Sequence, residues 1–153
     1  MDIERLQYPV GAYTFTQPDE EQWEQWVSTI ETLPEKLRKL VSNLSFDDLE
    51  KPYRPEGWNI IQIVHHLADS HMNSFIRFKL ALTEERPTIR PYNESEWAKT
   101  DDASSEDIAD SLELLEGLHK RWTTLLKSMS KEQRARTFMQ PQRQKCLVFR
   151  WTR

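Results

Sequence analysis

The 153-residue chain holds one cysteine, three glycines against eight prolines, and four histidines. A lone Cys146 cannot form an internal disulfide, and with no CxxC or Cys/His spacing around it a structural zinc site is excluded. No apolar run exceeds a few residues, and the N-terminus MDIERLQYPV has neither a basic nor an apolar signal region, so no membrane span is expected and a cytoplasmic location is. No basic stripe follows any predicted helix and the formal net charge is -4, which argues against a nucleic-acid partner. Alternating β runs bounded by tight-turn dipeptides are also missing, leaving helices joined by stiff loops. The expectation is one all-α domain, with residues 1–153 as a single unit.

What is present is organised around residues 58–83, which contain neither Pro nor Gly. On a helical wheel Ile60, Ile61, Val64, Leu67, Ala68, Met72, Phe75, Phe78 and Leu82 fill a wide apolar arc, read as core. Asn59, Gln62, His66, Asp69, Ser70, Asn73 and Arg77 recur at three- and four-residue steps and form a polar stripe. That stripe lacks Lys and Glu in a chain that is 30% charged. It is either an ordinary exposed face or the wall of a partly enclosed, water-containing pocket. His66 centres the stripe, while His65 and His71 turn towards the packed side.

Residues 1–18, with Tyr8-Pro9, Gly11, Tyr13, Phe15 and Pro18, read as an aromatic arm packed along the bundle. A first helix over 19–43 starts with acids where the helix dipole favours them, and Trp23, Trp26, Val27, Ile30, Leu33, Leu37, Leu40 and Val41 give its apolar face. Pro34 predicts a kink or brief break. Ser45, Asp47 and Asp48 suggest a short helical turn, and Asn59 a cap for the central helix. After Thr83 a connection of about twenty residues implies a crossover to a parallel neighbour. Ser104-Ser105-Glu106-Asp107 is expected to cap a third helix over 104–130, with His119 at the edge of its apolar stripe as a satisfied or surface histidine. Residues 131–153 form an atypical basic tail without a helical pattern, so a fourth helix is missing or degraded.

The runs Tyr53-Arg54-Pro55-Glu56-Gly57-Trp58, Val64-His65-His66-Leu67-Ala68-Asp69-Ser70-His71-Met72-Asn73 and Ile76 to Glu84 resemble the YfiT-like branch of the DinB-like superfamily. Tyr8-Pro9-x-Gly11-x-Tyr13, the loop from Arg90-Pro91-Tyr92 to Trp97, and Leu118-His119-x-Arg121-Trp122 extend the similarity over roughly residues 8 to 130. The resemblance implies a four-helix bundle of up-down-down-up path, usually a homodimer, and a metal-dependent hydrolase acting on a small molecule. A relative's activity, transfer of a low-molecular-weight thiol such as bacillithiol, is the alternative. It further implies a divalent metal, nickel or zinc, on three histidines, of which one carries over to His66. Geometry alone offers Asp69 as general base or imidazole orienter, and Asn73 and Arg77 as substrate-binding groups.

This chain departs from the family at its end. No histidine follows His119, so two of the three implied ligands are missing. A shifted reading frame, a truncated copy or true divergence would each leave such an ending. A non-catalytic, self-associating helical module is therefore the reading to set against the enzyme.

Overall fold

The computed structural model describes residues 16–140 and the backbone of 143–147. The N-terminal arm lies largely outside the described residues, as does the Cys146 side chain. Three long helices, α1 (Glu20–Val41), α3 (Ile60–Thr83) and α5 (Ala109–Ser128), are linked through one-turn helices α2 (Phe46–Leu49) and α4 (Glu94–Trp97), and a third, α6 (Lys131–Arg134), follows α5.

Local chemistry fixes the helix starts. The Asp19 carboxylate accepts from the Gln22 N–H at 2.8 Å, and Glu20 and Glu21 add negative charge to the first turn. Asn59 and Gln62 form a reciprocal capping box at the start of α3. The third long helix starts later than its sequence suggests. Ser105 and Asp107 accept hydrogen bonds from the Asp107 and Ala109 N–H groups as successive turns, and helical geometry begins only at Ala109. The Ser-Ser-Glu-Asp run thus closes the preceding loop instead of capping the helix.

Helix α5 lies against both α1 and α3. Its partners along α3 ascend together: His65 meets Ser111, His71 meets His119, and Phe78 meets Trp122. The two helices are therefore parallel, as the long crossover implied. Along α1 the order reverses, with Glu31 on Lys127 and Arg38 on Glu116, so α1 and α5 are antiparallel. The main core joins all three through Trp23, Val27, Phe75, Phe78, Ala81, Leu118, Trp122 and Leu126. Full burial of Phe78 alone is worth roughly 1.5–3 kcal/mol.

Pro34 does not break α1, which runs unbroken from Glu20 to Val41. Proline has no N–H, so the Ile30 carbonyl, four residues earlier, loses its helical donor. His119 supplies it: its Nδ1 lies 2.5 Å from that oxygen. A carbonyl only accepts, so His119 carries its proton on Nδ1 and presents a lone pair at Nε2. His71 Nδ1–H then donates to that Nε2 at 2.7 Å, and the edge of Trp122 packs against both rings. His119 is accordingly a fully enclosed, satisfied residue and not a surface one.

The tail holds the clearest difference from the sequence reading. Thr137–Gln140 (β1) pairs antiparallel with Arg143–Leu147 (β2) where no strand was expected. The pattern was hidden because few side chains here alternate cleanly, and β1 takes its place through backbone bonds to the crossover: Ile89 N–H donates to Met139 O and Met139 N–H to Pro87 O. Phe138 enters the core, and the Arg136 guanidinium donates to the Ala81 and Glu84 carbonyls at the end of α3. Those carbonyls have no helical donors of their own.

The imidazole pair makes stability sensitive to substitution and to pH. His119→Ala should cost about 1–3 kcal/mol in urea unfolding, and less in a Pro34→Ala background, where the replacement residue restores the helical N–H. An equal cost in both backgrounds would refute the substitution of one donor for the other. Burial, with lesser contributions from the His119 and His66 charges, pushes His71 down to about 3 from its ordinary 6.5. The unfolded chain thus binds the extra proton first, so this contribution is complete above pH 6.5 and drains away as pH falls towards 3, at up to ~1.4 kcal/mol per pH unit. His71→Asn should flatten that slope.

Candidate active site

The stripe on α3 lies between the two alternatives its sequence left open, neither fully open nor fully enclosed. Asn59, Gln62, His66, Asp69, Ser70, Asn73 and Arg77 are all partly buried, and none is fully exposed. Two segments border it, the one before α3 and the one around α4. Trp58, just before the cap, places its ring 4.6 Å from that of His66. Gln62 Nε2 donates to the Ala98 carbonyl, tying α3 to the end of α4. Tyr92, on the loop entering α4, packs its ring 4.4 Å from Trp97.

The histidines divide sharply. His65 Nε2–H donates to the Ser105 carbonyl at 2.9 Å, which leaves Nδ1 to accept from the Ser111 hydroxyl at 2.8 Å. Both His119 nitrogens are occupied, and His71 is bound to His119. His66 alone makes no hydrogen bond to any described residue. Burial holds its pKa below the ordinary imidazole value, against the opposing charges of Glu94 and Asp69. Asp69, one turn on, is pushed up by burial and by Asp102, while His66 and His65 pull it back. The Asn73 amide nitrogen donates one hydrogen bond to the Asp69 backbone carbonyl at 2.9 Å, which fixes the side chain along the helix.

Sequence reasoning missed Tyr92 as a site residue. Its hydroxyl is buried and has no hydrogen-bond partner of sound geometry. The phenol is held above its usual pKa mainly by burial, with Glu94 and Asp69 adding and Ser70 and Arg77 opposing; Ser70, Asp69 and Arg77 all belong to the stripe. Nothing in a loop tyrosine two residues before a short helix would have signalled this.

The kinship of the chain agrees with that architecture. The DinB superfamily pattern matches residues 29–151. The chain belongs to the DinB superfamily. A relative within the superfamily from Bacillus cereus (strain 03BB102), named "Putative metal-dependent hydrolase", is 49% identical over 138 residues, covering 90% of this chain and 79% of its own length. Bacillus subtilis (strain 168) YfiT, which bears the same description, is 47% identical over 137 residues, 89% of this chain and 77% of its own. The solved structure of YfiT, described as a probable metal-dependent hydrolase with an unusual four-helix bundle topology, superposes with a TM-score of 0.90 at 44% identity, covering 94% of this chain and 83% of that one. The chain therefore has the DinB-type bundle fold, of which three long helices lie among the described residues.

The donor set here does not fit a three-histidine metal centre. All four histidines fall among the described residues, three are bound to protein groups, and among the described residues no three His, Cys, Asp or Glu side chains converge. His66 and Asp69 are the only donors the stripe offers. A groove of about 540 Å³ between α1 and α5 is a poorer candidate. Its floor is His119 and Thr123, no α3 residue lines it, and the His119 nitrogens are already spent.

This division predicts selective chemistry. Diethylpyrocarbonate should modify His66 well before the other three histidines, as read by peptide mass spectrometry. His66→Gln should remove the fast phase, and equal labelling of His65 or His119 would contradict the assignment.

Proposed function

We propose that this chain hydrolyses a small polar acyl substrate over the α3 stripe, with His66 taking the proton of the attacking water. One observation carries the reading: three imidazoles are held by protein groups, and His66 alone keeps both nitrogens for a ligand. The reaction class is supported by relatives named for metal-dependent hydrolysis. Because the donor set does not fit the centre that resemblance implies, the steps below use side chains only.

Water oxygen bonds to the acyl carbon as its proton passes to His66, and the carbonyl electron pair moves onto oxygen. Collapse breaks the bond to the leaving group, which takes the proton back from His66. Asp69, a turn away, offsets the imidazolium charge in between. The Asn73 oxygen and the Arg77 guanidinium hold the polar end of the substrate. Partial enclosure by Trp58 and the α4 loop strengthens these charges relative to open water.

A panel of p-nitrophenyl esters and anilides tests the reading. The purified full chain should turn over at least one of them, His66→Ala should lower kcat/KM by ~10²-fold or more, and Asp69→Asn should lower it less. Activity should survive EDTA. Full activity in His66→Ala would end this proposal, and EDTA inactivation reversed by a divalent cation would end its side-chain mechanism.

A further inference from the structure

The stripe on α3 supplies a base, a carboxylate and a cation, and an oxygen that gains charge above it also needs a neutral donor held in place. Such a donor sits across from it. The Tyr92 hydroxyl is buried and unpartnered. The Ser70 side chain lies beside it and lowers the phenol pKa, but the contact falls outside hydrogen-bond geometry. The ring is braced against Trp97, whose helix is pinned to α3 through Gln62 and Ala98. A buried hydroxyl without a partner is an unfavourable thing to keep for stability alone, because removing it should relieve desolvation and leave the packing intact. Its orientation makes sense when a ligand oxygen fills the place.

We propose that the Tyr92 hydroxyl is the donor that seats an oxyanion of the ligand, so that the site selects small molecules presenting an acyl or tetrahedral oxygen to the His66 side. Tyr92 then touches the reacting oxygen and is a catalytic residue in the reaction proposed above, on which this inference rests. Burial keeps the phenol protonated at neutral pH, as a donor must be.

Benzenephosphonate, a stable tetrahedral oxyanion, serves as the probe. Calorimetric titration of the full chain should show binding, and Tyr92→Phe should weaken it roughly tenfold to a hundredfold. Phenylalanine keeps the ring against Trp97, so the melting temperature of Tyr92→Phe should stay level or rise. A merely structural hydroxyl would instead lower it. His66→Ala should retain probe binding within a few-fold while losing ester turnover. Equal affinity in wild type and Tyr92→Phe, no binding by the wild type, or a clear drop in melting temperature would each overturn the assignment of Tyr92. Tyr92-dependent binding without ester or anilide hydrolysis would instead leave the donor in place and remove the hydrolytic reading.

Discussion

Pro34 deprives the Ile30 carbonyl of its helical donor, and the rest of the bundle depends on the group that replaces it. His119 reaches across from α5 to that oxygen, which fixes its own tautomer and, through it, that of His71 on α3. One missing N–H thereby ties three helices together. Each bond is buried, so each partner left alone would carry a desolvation cost that a surface pair would not. The hydrogen-bonded chain also explains why a proline can sit in the middle of a 22-residue helix without breaking it.

The same economy shapes the pocket. His65 locks the crossover loop to α3 through Ser105 and Ser111, and the His71–His119 pair locks α3 to α5. These imidazoles act as buried polar struts, and burial lowers the pKa of His71 and His119, which keeps both neutral at ordinary pH. Against them His66 is the exception, set apart by about 100° of rotation around the helix. Next in sequence to His65, it turns out of the packed face into the gap under Trp58. The different surroundings of the adjacent histidines are a matter of helical phase.

Much of this was legible beforehand. The 3.6-residue spacing placed α1 and α3 to within two residues at each end, and the length of the link after Thr83 foretold the parallel pairing of α3 and α5. The missing Lys and Glu in the stripe pointed to a face that is not fully open, and the partial burial of all seven residues agrees. What was hidden depended on distant partners. Pro34 looked disruptive because its compensating donor lies 85 positions away in the chain at His119. Tyr92 looked like loop filler because its neighbours are on another helix. The hairpin escaped because β1 is held by backbone atoms of Pro87 and Ile89, which leave no mark in side-chain patterning.

That last attachment reaches further than the tail. Pro87 to Ile89 belong to the same stretch of chain that, three residues later, carries Tyr92, and Arg136 clasps the end of α3 from which this stretch departs. The floor and the roof of the pocket are thus registered to one another by a short piece of sheet on the far side of the crossover. A substitution in that sheet, remote from every polar side chain discussed, would be felt as a misplaced roof before it was felt as a loosened core.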